Sequence, residues 1–149
     1  MNRKKVASDM DLMNWSECER KFIRKVHVDK ERISSITGKA MQRLKRARTT
    51  EISPENVSFI VEDYYEVIKE LLVACLLKDG LRSKNHQCLI SYFYRKHPAL
   101  EREAYLISQM SYFRNRLDYY GEEIPPEFYK DNKRSFEKII SILLELIER

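Results

Sequence analysis

The sequence predicts an all-α protein: an up-and-down helical bundle of four to five core helices with an N-terminal helical extension. Glycine and proline are scarce, with 3 Gly and 4 Pro among 149 residues, and many short strands joined by tight turns would need more of both. Apolar residues recur at steps of three and four along most of the chain, which is the period of an amphipathic helix. These helical segments account for the chain, so we expect no β-strand.

We predict that the extension covers residues 1–28 and that the bundle covers residues 29–149. Within the extension, a helix is expected to begin near Asp9 or Asp11, because acidic residues are favoured at the positive end of a helix. Asp29 is the expected N-cap of the first bundle helix. The apolar residues of this helix follow one stripe: Ile33, Ile36, Ala40, Leu44 and Ala47.

Local signals divide the rest of the bundle into four further helices. Ser and Pro are favoured at helix starts, Gly is common just beyond helix ends, and the residue before Pro avoids helical geometry. On these signals the predicted helices lie between Ser53 and Gly80, between Ser83 and His97, from Pro98 to Tyr120, and from Pro126 to Glu148.

Basic residues are concentrated near the N-terminus. Residues 1–50 contain 14 Lys and Arg against 6 Asp and Glu, a net charge of +8, whereas residues 51–149 carry −3. A basic segment on a near-neutral body would attract phosphate backbones or an acidic partner. Solvated helix faces give the same statistics, so the charge leaves both interpretations open.

Cysteine usage and hydropathy predict a cytoplasmic protein. Cys75 and Cys88 lie in apolar stretches and are interpreted as small buried residues in a reducing compartment, and Cys18 forms no CxxC pair with either. The longest apolar run, Leu71 to Leu77, is far shorter than the ~20 residues that span a bilayer, and no signal-peptide pattern is present. We expect no metal and no cofactor, because no phosphate loop or metal-ligand spacing occurs.

One polar segment, Tyr112 to Gly121, stands out near the end of a predicted helix. It contains Arg114, Asn115 and Arg116 among three tyrosines. Guanidinium groups bind phosphates and tyrosines offer rings on which bases stack. The alternative is structural: Arg114 and Asp118 pair at i, i+4 on the helix surface and the tyrosines pack in the bundle. The isolated His86 is expected to cap or pack its helix rather than to act in catalysis.

Three segments in this order resemble prokaryotic HEPN domains. They are the helix containing Tyr64 to Leu72, the turn and short helix start from Lys78 to His86, and the R-N-R of Arg114 to Arg116 followed by Gly121 and an apolar helix. The resemblance covers about residues 29–147. It implies a helical bundle that forms a two-fold dimer, and active members are metal-independent ribonucleases.

The catalytic motif of the family is an Arg, a polar residue and a His four to six positions after the Arg. Arg114 and Asn115 match the first two, whereas the His position falls on Tyr119 or Tyr120. A tyrosine, with a pKa near 10, is a poor general base at neutral pH. The resemblance therefore implies a dimer that binds RNA or nucleotide through Arg114, Asn115, Tyr119 and Tyr120 without cutting, on a surface extended by Arg43, Arg46 and Arg116.

Two alternatives remain open at this point. The first is a divergent metal-independent endoribonuclease that uses Arg114 and a tyrosine in place of the histidine. The second follows from the resemblance alone: family members often accompany a small nucleotidyltransferase as a toxin–antitoxin pair, so the chain would be the interaction partner of such a protein.

Overall fold

The computed structural model describes residues 12–149 and confirms the all-α helical bundle. Its elements are α1 (Trp15–Lys21), β1 (Ile23–Lys25), α2 (Lys30–Thr49), α3 (Val57–Lys78), β2 (Leu81–Ser83), α4 (His86–Lys96), a 3₁₀ turn (Pro98–Leu100), α5 (Glu101–Tyr120) and α6 (Pro126–Glu148). The helix start expected at Asp9 or Asp11 lies outside the described residues. None of the helices within residues 12–149 has the length and hydropathy needed to cross a bilayer.

Helix α3 is the centre of the bundle, and α2, α4, α5 and α6 all pack against it. Its sequence is mostly apolar and contributes more than a third of the buried residues, since a helix enclosed by others is apolar nearly all round. The largest fully buried side chains of the core include Tyr64, Ile68, Leu71, Ile107, Phe136 and Ile140. This enclosed helix is the fixed frame against which the polar side chains of α2 and α5 are placed.

The C-terminal end of α5 is held beside the N-terminal end of α3. The loop after α5 passes close to α3, where the backbone N–H of buried Ile124 donates to Ser58 Oγ at 2.8 Å. On the other side of α5, Phe113 packs on Phe128 of α6 with ring centroids 4.6 Å apart. The last turns of α5 are therefore fixed to two neighbouring helices.

The N-terminal extension contains a strand that the sequence did not predict. Ile23–Lys25 pairs antiparallel with Leu81–Ser83, with Arg24 opposite Arg82, so the expectation of no strand is wrong. Three-residue strands are too short for their periodicity to be recognised. The pairing joins the extension to β2, which directly follows the turn at Gly80. Gly80 adopts a positive φ of 72°.

A disulfide also joins the extension to the bundle. Cys18 of α1 bonds Cys88 of α4 across 70 positions of sequence. The prediction that Cys88 is a small buried residue is confirmed, whereas its disulfide to Cys18 was not predicted. Spacing could not reveal the pair, because it depends on α1 packing against α4 in space. Cys75 is the free cysteine of residues 12–149.

Three predicted helix starts are displaced by two or three residues, and that of α5 moves from Pro98 to Glu101 because Pro98–Leu100 forms a 3₁₀ turn. Ser53 does not cap α3; Asn56 is its N-cap position, and the side chain of Asn56 instead closes the preceding turn by accepting from Ser53 N. Asn85, not Ser83, caps α4 by accepting from Gln87 N. In both cases a second capping residue lies just downstream, and competing caps of similar strength make such boundaries uncertain in sequence. The Asp29 cap and the bounds of α6 are confirmed.

Candidate functional site

The last turns of α5 present two different polar faces. Arg114 and Asp118 are one helical turn apart and face α3. Tyr112, Arg116 and Tyr119 follow each other at i, i+4 and i+7, which places them on a common face of the helix. We call the second set, together with the adjacent Tyr120, the tyrosine face. The two sets share one helix and point in different directions.

Arg114 is held by carboxylates on both sides. Its Nη2 lies 3.4 Å from Glu66 Oε1 of α3, and its Nε lies 3.1 Å from Asp118 Oδ2. Glu66 is bound a second time by Lys69, whose Nζ is 2.5 Å from Oε2. The Arg114 side chain is 23% exposed, and its Nε is buried without a hydrogen bond, so the Asp118 contact is an ion pair alone.

The carboxyl groups of Glu62 and Asp118 form a pair beside Arg114. The pKa of Glu62 is raised to about 7, first by burial and next by its hydrogen bond with Asp118, whereas Arg114 opposes the shift. A carboxyl group that titrates near 7 beside a second acid is consistent with the two groups sharing one proton. We call Glu62, Glu66, Lys69, Arg114 and Asp118 the inner cluster. Its three acids and two bases hold α5 against α3.

His86 stands at the edge of the inner cluster. It is the first residue of α4, is open to solvent on one side, and feels the charges of Lys69, Glu66 and Arg114. Partial burial lowers its pKa, and repulsion from Lys69 lowers it further. At neutral pH the imidazole is therefore uncharged and adds no positive charge to the cluster.

The tyrosine face is open to solvent. The exposed fractions of Tyr112, Tyr119 and Tyr120 are 56%, 74% and 68%, which is unusual for three large aromatic residues on one helix. The Arg116 guanidinium lies over the Tyr120 ring, 4.4 Å from its centroid. This arrangement combines a cation with flat apolar rings, the two features that single-stranded nucleic acid requires.

The end of α5 fixes the surroundings of Arg116. Gly121 adopts a positive φ of 65°, and the N–H groups of Gly121 and Glu122 donate to the carbonyls of Leu117 and Arg116. This left-handed cap turns the chain back, so that Glu122 Oε2 accepts from Arg116 Nε at 2.9 Å. The Arg116 and Glu122 side chains are 35% and 51% exposed, and ion pairs open to solvent contribute little to stability.

Arg43 and Arg46 of α2 are also engaged by α3. Arg43 contacts Glu70 at 3.2 Å, and Arg46 Nη2 lies 2.7 Å from Asp63 Oδ1. Farther along α2, Arg48 bonds both oxygens of Glu137 in α6. Three arginines of α2 are therefore paired with acids from the later part of the chain, where the acidic excess lies.

The structure separates the residues that the sequence proposed as one site. Arg114 and Asn115 are adjacent, with Arg114 Nη1 3.4 Å from Asn115 Oδ1, whereas Tyr119 and Tyr120 extend into solvent. The structural alternative was right about the Arg114–Asp118 pair and wrong about packed tyrosines. The acids of the inner cluster were missed, although Glu62, Asp63, Glu66, Lys69 and Glu70 are a conspicuous run of charges on an otherwise apolar helix.

Neither a metal centre nor a known relative helps to assign the site. Within residues 12–149 no group of three or more His, Cys, Asp or Glu side chains is arranged to hold a metal ion. Comparisons with protein-family models, with curated proteins and with solved structures found no match. The function has to be argued from the side chains themselves.

Proposed function

We propose that this domain binds single-stranded RNA or a nucleotide through the tyrosine face, without cutting it. The observation that carries the proposal is the exposure of Tyr112, Tyr119 and Tyr120 around Arg116 on one rigid helix. A base that stacks on an aromatic ring contributes about 1–3 kcal/mol to the binding free energy, as measured by replacing the ring residue with alanine. Three rings and one guanidinium are enough for two or three nucleotides.

The charge pairing of Arg116 favours this use. Its partner Glu122 is open to solvent, with 51% of its side chain exposed, so a phosphate can replace the carboxylate without leaving a buried charge unpaired. The guanidinium can bind two phosphate oxygens at once and remain stacked on Tyr120. The tyrosine rings lose little conformational freedom on binding, because each has only two side-chain torsions.

The inner cluster is a poor place for the same ligand. A phosphate approaching Arg114 would meet the carboxylates of Glu66 and Asp118, which already hold the guanidinium. Displacing them would leave acids uncompensated in a half-buried region, at a cost of several kcal/mol. We therefore assign Arg114 and Asn115 a structural role and Arg116 the phosphate contact.

The test is fluorescence anisotropy with a labelled single-stranded RNA of mixed sequence, repeated at several salt concentrations. We expect Tyr119→Ala and Arg116→Met each to weaken binding by roughly five- to twentyfold, equivalent to about 1–2 kcal/mol. Arg116→Met should also flatten the salt dependence, because one phosphate contact is lost. Absence of binding by the wild type at low salt would refute the proposal.

Two matched controls separate specific stacking from general adhesion. Phe59 is an exposed aromatic residue of α3, 58% open to solvent, and Phe59→Ala should leave RNA affinity unchanged. Tyr119→Phe keeps the ring and removes the hydroxyl, so it should bind like the wild type. Equal losses in Tyr119→Ala and Phe59→Ala would indicate non-specific binding.

A second candidate is a metal-independent endoribonuclease, favoured by the raised pKa of Glu62 next to Arg114. A group that titrates near 7 is suited to general acid–base chemistry. Its test is cleavage of RNA in EDTA by wild type, Glu62→Gln and Tyr119→Phe. Cleavage that is lost only in Glu62→Gln would place the reaction in the inner cluster and replace the binding proposal.

The homodimer and a nucleotidyltransferase partner also remain proposals. They are supported by exposed apolar residues at the same end of the bundle as the tyrosine face, namely Ile52 and Phe59, since such patches commonly mark protein interfaces. Light scattering of the purified chain tests the dimer. Loss of the dimer in Phe59→Asp, with RNA binding unchanged, would separate the two surfaces.

A further inference from the structure

We infer that the paired strands β1 and β2 carry a second phosphate-binding surface, which holds the backbone of an RNA too long for the tyrosine face alone. The inference rests on the proposed function for the class of ligand. The surface consists of Arg24 and Lys25 of β1, Arg82 of β2, and Lys84, which directly follows β2. All four residues are exposed. We call them the basic ribbon.

Two arginines of the basic ribbon lie opposite each other. Arg24 is the direct partner of Arg82 in the antiparallel register. The neighbouring Ile23 and Leu81 pack against the core. Because side chains alternate along a strand, the two arginines share the outer face. Like charges directly opposite each other destabilise a strand pair, and local arrangements that lower stability are typical of functional surfaces.

The cations of the basic ribbon have no acidic partner within residues 12–149. Of the acids nearest in sequence, Glu17 pairs with Lys21, Asp79 pairs with Lys96, and Asp29 caps α2. Five arginines of α2 and α5, in contrast, each contact a carboxylate: Arg43, Arg46, Arg48, Arg114 and Arg116. A phosphate at the ribbon would displace no carboxylate.

A small cleft adds another arginine to this surface. It lies between α2, α3, β2 and α4, has a volume of about 180 Å³, and is lined by Arg32 and Arg82. None of its described lining residues is acidic, and Arg32 has no ion pair in the described part of the chain. The last turn of α3 borders the cleft, where the N–H groups of Asp79 and Gly80 bind its carbonyls. Guanidinium groups on two walls suit a phosphate, which each can bind through two oxygens.

The aromatic ring of Phe22 favours nucleic acid over an acidic protein as the ligand. Phe22 lies opposite Lys84, whose N–H donates to the main-chain oxygen of Phe22 at 3.0 Å. It is partly exposed and is not among the hydrophobic side chains that pack on the core. Alternation places it on the same side of the strand as Arg24. A base can stack on such a ring while the adjacent cations bind phosphates, whereas an acidic peptide has no base to stack.

One strand of RNA can reach both surfaces. His86, two residues after Lys84, is close enough to Arg114 to feel its charge, and the last turns of the same helix α5 carry the tyrosine face. At about 3.4 Å per nucleotide, fifteen nucleotides span about 50 Å. A globular domain of this length is about 40 Å across. A trinucleotide spans about 10 Å and can occupy only one surface.

The experiment compares labelled single-stranded RNAs of three and fifteen nucleotides by fluorescence anisotropy at several salt concentrations. Arg24→Gln and Arg82→Gln should each weaken the longer RNA about three- to tenfold at low salt. Each should also reduce the slope of log K against log salt by about 0.7, the value for one phosphate contact. Neither should change trinucleotide affinity. Arg82→Gln removes the repulsion between the strands, so its urea midpoint should not fall and weaker binding cannot be ascribed to unfolding.

The matched control is Arg102→Gln, which removes an exposed arginine of α5 that also has no ion pair within residues 12–149. It should bind both RNAs like the wild type. An equal loss in Arg102→Gln would overturn the inference in favour of non-specific attraction. Unchanged affinity and salt slope in both ribbon variants would also overturn it and leave the ribbon charges to protect the strand edges from aggregation.

Two further comparisons separate the inference from its alternatives. Fifteen-residue poly-glutamate should bind at least tenfold more weakly than the longer RNA, and equal affinity would overturn the inference in favour of an acidic protein partner. Tyr119→Ala should weaken the trinucleotide, whereas the ribbon variants should not. Trinucleotide binding that is unchanged in Tyr119→Ala would refute the tyrosine face, and a loss of the longer RNA in the ribbon variants would still support the ribbon.

Discussion

Arg114 and Arg116 are two positions apart on one helix and have different partners. Arg114 is half-buried between Glu66 and Asp118, in a cluster where the pKa of Glu62 is raised to about 7. Arg116 is 35% exposed against 23% for Arg114, rests on Tyr120 and pairs with the exposed Glu122. An arginine can stabilise a bundle or bind a ligand. Which role it has depends on the free energy needed to displace its present carboxylate partner.

The comparison changes the interpretation of the polar segment. The resemblance to HEPN domains directs attention to Arg114, because that residue matches the arginine of the HEPN motif. A ligand that binds Arg114 would have to displace Glu66 and Asp118, at a high cost in free energy. A ligand that binds Arg116 would displace only Glu122, which is open to solvent. We therefore expect stability to depend on the inner cluster and binding to depend on the tyrosine face.

The largest expected effect is on stability. Arg114→Met leaves Glu66 and Asp118 without their shared cation, so the free energy of unfolding should fall by about 2–3 kcal/mol. Arg116→Met, the same change two residues later, should leave the urea midpoint unchanged within error. Equal losses in the two variants would show that the two faces do not differ as described.

The next effect is a pH dependence that belongs to the inner cluster alone. The pKa of Glu62 is about 7 in the fold against 4.5 for the free side chain, so the folded state binds a proton more tightly. The stability that this proton contributes is complete below the unfolded pKa and is lost as pH rises through the folded pKa. Wild type should therefore lose about 1–2 kcal/mol more than Glu62→Gln between about pH 5 and pH 8.

The measurement is urea unfolding of both proteins across that range. The difference between them isolates Glu62, because Asp79, His86 and His97 are common to both. Parallel pH profiles would contradict the shared proton. The tyrosine face should be insensitive: Arg116→Met should show the same pH profile as the wild type.

The smallest effect concerns the acid that competes with the ligand. Glu122→Gln removes the carboxylate next to Arg116 and should tighten RNA binding about twofold at low salt, since phosphate no longer replaces a charged partner. Asp118→Asn, the corresponding change in the inner cluster, should leave affinity unchanged. A tighter complex in Asp118→Asn instead would move the binding site to Arg114.

Much of the fold could be predicted because its signals are local. Asp29 caps α2, Gly121 ends α5, and Pro126 to Glu148 bounds α6, each read from a few neighbouring residues. The β1–β2 pair and the Cys18–Cys88 disulfide join segments about 60 to 70 residues apart. Nothing in either segment alone indicates its partner, so these features could not be predicted.

The site, like the fold, was predicted only where its signals are local. The Arg114–Asp118 pair follows from i, i+4 spacing, whereas Glu66 lies 48 positions before Arg114 and reaches it only because α3 and α5 pack together. Spacing also places Tyr112, Arg116 and Tyr119 on one face, but their exposure depends on how α5 packs. Periodicity shows which residues share a face; it does not show whether that face is covered.

The most direct test of the account is an aromatic and arginine NMR titration of the wild-type protein with single-stranded RNA. The account predicts that the ring signals of Tyr112, Tyr119 and Tyr120 move as bases stack on them, together with the Arg116 Nε–H. The Arg114 Nε–H and the buried Tyr65 should remain in place. Movement of Arg114 and Tyr65 with the three exposed rings unchanged would contradict it and assign binding to the inner cluster.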